Sequence, residues 1–126
     1  MEFKIDATDQ YTVITPESAT LSTAEAALLA DHAGLATGNV SNHFIIDLQH
    51  CRNVTIEAVH QLADLSMAAY EQGYSFIVTH PPEGMAVILK AEDLIDVVNC
   101  APTFQEAIDI LNMEKLERDL ENEDSF

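Results

Sequence analysis

The residue types best suited to chemistry lie near the middle of the chain, at Asp47, Cys51 and His60. A cysteine can act as a nucleophile when a histidine serves as its base and a carboxylate orients the histidine. These three residues define one hypothesis, a small hydrolase-like enzyme. In the alternative, Asp47 accepts backbone N–H bonds from the following loop and Cys51 packs as a small apolar residue. Arg52 is the one cation near Cys51 in sequence, so little in the sequence would activate the thiol.

The neighbouring residues His50 and Cys51, together with His60, raise the question of a zinc site. Zinc needs three or four converging ligands, and closed sites commonly use close pairs such as Cys-x2-Cys. The adjacent His-Cys pair does not have that spacing, and we expect both histidines to face solvent. The sequence also has no P-loop and no dinucleotide fingerprint. We therefore predict neither a metal site nor a cofactor.

The composition indicates one folded, strongly acidic domain. Acidic residues outnumber Lys and Arg by 22 to 5 in this 126-residue chain, which gives a formal net charge of −17. That charge repels phosphate backbones and anionic lipid, so we expect no nucleic-acid binding. Apolar runs are too short to span a membrane, and the N-terminus does not resemble a signal peptide. With only two cysteines, the chain is expected to act in the cytoplasm.

The elements that would position the central residues alternate between strands and helices. Strands are predicted at 2–6, 11–15, 44–48, 74–79 and 95–100, and helices at 23–33, 55–72, 84–91 and from 104 onward. Gly34 is placed to end the first helix and Thr103 to cap the last. The run 44–48 is apolar on both faces until Asp47, which is typical of a central strand. The pattern predicts an α/β fold with a mixed, mostly parallel sheet of four to five strands and about four helices.

Several segments, taken in order, resemble the STAS domain, the fold of bacterial anti-sigma-factor antagonists. The resemblance rests on the strand and loop at 44–54, the strand start at 73–78, the apolar residues at 87–89 and 94–95, and the helix start at 104–108. It covers roughly residues 3–111. It implies a non-catalytic module that binds a protein partner.

The signature of that family is changed in this chain. After the loop, the family carries Asp-Ser-Ser-Gly, and its first Ser is phosphorylated by an anti-sigma kinase. The aligned residues here are Thr55, Ile56, Glu57 and Ala58, so Ile56 takes the place of the phosphoacceptor. Thr55 is either an ordinary N-cap or a displaced phosphoacceptor. Glu57 either complements the helix dipole or mimics the phosphorylated state.

The resemblance also implies where a partner would bind. The expected surface comprises the loop after the central strand and the start of the next helix, residues 50–60. Its candidate residues are His50, Arg52, Asn53, Thr55, Ile56, Glu57 and His60. In the family, this surface meets an anti-sigma factor with a kinase fold. A STAS subunit of a membrane transport complex, as in ABC-type lipid trafficking, is the alternative within the same fold.

The end of the chain differs from the rest in composition. We assign residues 1–111 to the STAS-like domain and 112–126 to an acidic C-terminal helix extension or tail. Met113, Leu116 and Leu120 recur in it at helical spacing. They predict either a surface for a partner or a homodimer, or a simple amphipathic cap on the core.

Overall fold

The computed structural model describes residues 3–33 and 42–124. The strands in these ranges are β1 (Phe3–Ala7), β2 (Tyr11–Pro16), β3 (Thr20–Leu21), β4 (His43–Asp47), β5 (Asn53–Val54), β6 (Phe76–Thr79) and β7 (Asn99–Ala101). The helices are α1 (Thr23–Ala33), α2 (Ile56–Glu71), α3 (Glu83–Ala91) and α4 (Phe104–Asp124). The predicted alternation is confirmed, with two additional short strands.

Five strands form the main sheet, in the order β1-β2-β4-β6-β7. The first pair is antiparallel and the remaining pairs are parallel, as predicted for a mixed, mostly parallel sheet. Strand β4 lies in the centre, and its residues Phe44, Ile45 and Ile46 are buried. A strand covered on both faces must be apolar on both faces, which explains the continuous run that the sequence showed.

The two faces of the sheet are covered unequally. Phe44 and Ile46 point into a large apolar cluster that includes Leu62 of α2 and residues of α1 and α3. Ile45 points the other way, into a smaller cluster closed by Leu111 of α4. A single helix therefore covers one face, and three helices cover the other.

The ends of the parallel strands define the two edges of the domain. Strands β4 and β6 end together at the carboxyl edge, where Asp47 is paired in register with Thr79. Helix α4 starts at that edge, where the hydroxyl of Thr103 accepts the N–H of Glu106 at 3.2 Å and confirms the predicted cap. The helix then returns to the amino edge, where Arg118 donates to the hydroxyl of Ser75 at 3.1 Å.

The last strand begins later than the sequence predicted. The segment 95–98, assigned to a strand on its β-branched residues, instead forms turns in which the N–H groups of Val97 and Val98 donate to the carbonyl of Leu94 at 3.0 and 3.1 Å. The chain leaves α3 through Asp93, which has a φ of +57°, and must reverse before it can join β6. Strand β7 therefore covers 99–101. Gly34, the predicted end of the first helix, lies outside the described residues.

Candidate partner-binding surface

Asp47 ends the central strand and organises the loop that follows. Its Oδ1 accepts the backbone N–H of Gln49 at 3.0 Å, and its Oδ2 accepts the side-chain amide of Gln49 at 2.7 Å. The Nδ1 atom of His80 lies 3.0 Å from Asp47 Oδ1. The Asp47 side chain is only 8% exposed, so these partners replace the water that burial removes. The predicted role of Asp47 as a backbone N–H acceptor is confirmed.

His80 is a residue of this edge that the sequence analysis missed. It directly follows β6, and its neighbour Thr79 is paired in register with Asp47. His80 has a φ of +50°, in the left-handed region that few non-glycine residues adopt. Its position immediately after the strand next to β4 was the available signal, because parallel strands bring their carboxyl ends together.

The loop after β4 is held by a small second sheet. Strands β3 and β5 pair in parallel, with Thr20 opposite Asn53 and Leu21 opposite Val54. The carbonyl of Ala19 accepts the N–H groups of Arg52 and Asn53 at 2.6 and 3.2 Å. The loop backbone thus has fixed partners on both sides of Arg52.

Thr55 caps the helix that follows this loop. Its backbone is extended, with φ −85° and ψ 157°, and its hydroxyl oxygen accepts the N–H of Ala58 at 3.1 Å. Its own N–H donates to the carbonyl of Leu21 at 3.0 Å. Glu57 lies in the first turn of α2, where a carboxylate complements the helix dipole. The predicted N-cap is confirmed, and the cap fixes the direction in which Ile56 points.

The predicted partner-binding residues lie on the surface of this edge. Thr55 is half-buried, and the others are exposed: His50, Arg52, Asn53, Ile56, Glu57 and His60. Ile56 is 50% exposed, and it stands in sequence between the polar residues Thr55 and Glu57. The 50–60 surface, meaning the exposed side chains of residues 50–60, therefore combines one apolar residue with charges of both signs.

The three residues of the enzyme hypothesis bind other groups. His60 Nε2 lies 2.7 Å from Glu92 Oε1 at the end of α3, and Asp47 is occupied by Gln49 and His80. Cys51 is buried. Burial, with the nearby carboxylates of Glu25 and Asp47, raises the pKa of the Cys51 thiol to about 11. A thiol with that pKa carries almost no thiolate at neutral pH, so it is a poor nucleophile.

A depression of about 280 Å³ lies beside the surface, on the face covered by α4. Its walls include Tyr11, Asp47, His50 and Phe104. Among the residues that the structure describes, no group of three or more His, Cys, Asp or Glu side chains is arranged to hold a metal ion. No helix within residues 3–33 and 42–124 is long and apolar enough to cross a membrane.

Comparison with known proteins identifies the fold. Neither the protein-family models nor the curated proteins give a match to this sequence. Among solved structures, the chain is similar to a Ser-to-Glu variant of RsbS from Moorella thermoacetica, with a TM-score of 0.72, 22% identity and coverage of 94% of this chain and 99% of the other. It is also similar to an anti-sigma-factor antagonist (STAS) domain protein from Planctomyces limnophilus, with a TM-score of 0.71, 20% identity and coverage of 87% and 97%.

A similar domain occurs within a much larger protein, the murine anion transporter Solute Carrier 26 family member A9. The TM-score is 0.65 at 16% identity, and the match covers 86% of this chain but 18% of the transporter. The chain therefore has the STAS fold, as its sequence predicted, and its described residues form four helices packed on a mixed sheet of five strands.

Proposed function

We propose that the chain is a non-catalytic STAS module that binds a regulatory protein through the 50–60 surface without a phosphorylation switch. The observation that carries the proposal is the placement of Ile56. It occupies the first position of α2, is 50% exposed, and is held there by the Thr55 cap and the β3–β5 pair. An exposed apolar side chain held at a capped helix start is suited to anchor an interface, because little conformational freedom is lost when a partner covers it.

The same position explains why binding would be constitutive. In antagonists with the family signature, a phosphate at this helix start would add about −2 charge to the surface and change its affinity. Ile56 has no hydroxyl, and the nearby Thr55 hydroxyl already accepts the N–H of Ala58. Burying the exposed half of Ile56 against a partner would contribute roughly 1 kcal/mol to the free energy of binding. That contribution would not depend on any modification of the surface.

A non-enzymatic role is supported by the chemistry of the edge. Cys51 has a raised pKa, His60 is bonded to Glu92, and Asp47 serves the loop. The three groups are therefore occupied by separate structural tasks. The partner that we infer is an anti-sigma factor with a kinase fold, encountered in the cytoplasm.

Capture of the partner tests this proposal. The tagged full-length chain and an Ile56→Asp variant are used as baits in extracts of the source cell at two salt concentrations, and partners are identified by mass spectrometry. Met67→Asp is the matched control, because Met67 is 47% exposed and lies about three turns further along α2. We expect a kinase-fold protein with wild type and Met67→Asp, and its loss with Ile56→Asp. Equal retention by all three baits would show that the 50–60 surface is not the binding site.

The same experiment separates the remaining alternatives. The similarity to a domain of an anion transporter favours a second candidate function, a subunit of a membrane transport complex. Recovery of a transport ATPase instead of a kinase-fold protein would support it. Phosphate found on Thr55 of the bait would contradict constitutive binding and identify a displaced switch.

A further inference from the structure

In the C-terminal half of α4 the usual orientation of a surface helix is reversed, because polar rather than apolar side chains face the domain. Tyr70 donates its hydroxyl to Glu114 Oε1 at 2.7 Å, and Asn99 donates to the Tyr70 oxygen at 2.7 Å. Arg118 donates to the Ser75 hydroxyl at 3.1 Å, and its guanidinium lies 5.7 Å from the centroid of the Tyr70 ring. These contacts fix the rotation of the helix about its axis.

The apolar residues of this half therefore face outward. Met113, Leu116 and Leu120 are 62%, 59% and 50% exposed, and we call them the outer stripe. They do not cap the core, so of the two alternatives that the spacing allowed, the amphipathic cap is wrong. The polar contacts that turn Glu114 and Arg118 inward leave the outer stripe without cover in the described part of the chain.

The last part of α4, which carries Leu120 of the outer stripe, also projects from the domain. Helix α4 has 21 residues, which corresponds to a length of about 31 Å. Arg118 contacts Ser75, which immediately precedes β6 at the amino edge of the sheet. The turns after Arg118 consequently extend past the sheet. They can be reached from the side by another helix.

The spacing of the outer stripe matches a coiled-coil seam. The steps from Met113 to Leu116 and from Leu116 to Leu120 are three and four residues, as for positions a, d and a. The flanking e and g positions are then Glu117 and Asp119, and both are exposed. The nearby cations Lys115 and Arg118 take the positions opposite the seam, where they contact the domain. The seam is thus bordered by carboxylates on both sides.

This charge pattern selects the kind of partner. Two copies paired through the seam in antiparallel fashion would place Glu117 against Glu117 and Asp119 against Asp119, and such like-charge contacts are unfavourable. A parallel pair would gain no opposite-charge contact, since Lys115 and Arg118 lie away from the seam. Both copies would also carry a net charge of −17. A helix with an apolar seam and Lys or Arg at its flanking positions would instead meet complementary charge.

We propose that the outer stripe and the carboxylates beside it, within residues 113–120, form a second docking site, which takes a basic amphipathic helix of a partner protein into a short coiled coil. The site lies at the amino edge, whereas the 50–60 surface follows β4 at the carboxyl edge. One chain can therefore hold two partners at the same time, and this proposal does not depend on the function proposed for the 50–60 surface.

A synthetic peptide serves as the probe. It is an amphipathic helix of about three heptads, with Leu at a and d and Lys at e and g. Its affinity for the full-length chain is measured by fluorescence anisotropy at physiological ionic strength. A second peptide carries Glu at e and g, and a third keeps the Lys content with the leucines scrambled. We expect the full-length chain to bind the first peptide and to reject the other two.

Variants of the chain separate apolar docking from simple charge attraction. Leu116→Asp should weaken binding by about tenfold or more, the loss expected for a central anchor. The added carboxylate would strengthen a purely electrostatic contact with a basic peptide, so weaker binding must come from the lost apolar contact. Leu28→Asp is the matched control, because Leu28 is an exposed leucine of α1, which packs on the opposite face of the sheet. A Glu117→Lys, Asp119→Lys double variant should prefer the Glu peptide.

Three results would overturn the proposal. The first is failure of the Lys peptide to bind the wild-type chain, and the second is equal binding by wild type and Leu116→Asp. The third is self-association of the wild-type chain in light scattering that Leu116→Asp abolishes, which would make a second copy the occupant. An Ile56→Asp variant should bind the peptide as wild type does, which keeps this test independent of the 50–60 surface.

Discussion

Replacing Thr55 by Ala tests whether this hydroxyl holds the start of α2. The substitution removes the oxygen that accepts the N–H of Ala58 at 3.1 Å. Loss of an N-cap costs about 1 kcal/mol, within a range of roughly 0.5–2. Ala58 is fully buried, so its N–H cannot recover a water molecule, and we expect a loss near the upper end, about 1.5–2 kcal/mol. For a chain of this length, about 4 °C of Tm corresponds to each kcal/mol, so Tm should fall by about 6–8 °C.

Thermal and urea unfolding of Thr55→Ala, Thr55→Ser and Thr55→Asp provide the measurement. Ser and Asp both supply a capping oxygen, so these variants should stay close to wild type. A Thr55→Ala variant that lies within about 0.5 kcal/mol of wild type, the range of an ordinary surface substitution, would refute the structural role of the cap. Thr55→Asp also imitates a phosphate charge on a capped helix. A change of partner affinity in that variant without a change of stability would identify Thr55 as a regulatory position.

Three further predictions concern groups near the two edges. Burial chiefly raises the pKa of the Cys51 and Cys100 thiols to about 11. A disulfide reagent should therefore label both thiols slowly at neutral pH and rapidly after unfolding. Rapid labelling of the native chain would support the hypothesis that Cys51 is a nucleophile. Burial, helped by Arg118 and Lys115, lowers the pKa of His43, whose Nδ1 accepts the Ser75 N–H at 2.9 Å. Because the unfolded chain then binds the proton more readily, stability should fall as the pH drops below about 6.5, and His43→Asn should show less of this fall in urea titrations across that range. Asp47→Ala should lower the free energy of unfolding by about 2 kcal/mol, since it leaves the N–H of Gln49 without its charged acceptor, and unchanged urea unfolding would contradict that role.

The long elements could be predicted from the sequence because each carries its own signal. The residues 44–46 are apolar on both faces of the strand before Asp47 ends it, and a strand covered on both faces requires that pattern. Helix α2 has a capping residue at Thr55 and a stop at Gly73, whose φ of +85° suits a residue without a side chain. The segment 95–98 shows the limit of such signals. Its β-branched residues favour a strand, but the position of β6 required the chain to turn first.

The contacts that complete the site are long-range, and the sequence gives no local sign of them. Strands β3 and β5 have two residues each, too few to show any periodicity in the sequence. They are strands only because they pair with each other across the fold. His80 meets Asp47 because β4 and β6 pair in a particular register. The outward orientation of Leu116 depends on polar partners such as Tyr70, which is distant along the chain. Spacing alone predicted the apolar stripe correctly, but the side that it faces is decided by tertiary contacts.

The proposed constitutive binding rests on two features of the 50–60 surface, the hydrogen-bonded backbone before Ile56 and the absence of a hydroxyl on Ile56 itself. A phosphorylation switch needs a surface whose charge can change, whereas a permanent anchor needs a side chain held in one place. The loop before Ile56 is held by β3, the carbonyl of Ala19 and the buried Asp47, and the helix after it is capped by Thr55. A partner that binds such a surface would restrict few additional motions of this chain, so little conformational entropy would be lost. The contribution of the exposed isoleucine to affinity would then stay constant, because Ile56 itself cannot be phosphorylated. Control over this chain would then act through the abundance of its partners, or through a second partner at the outer stripe.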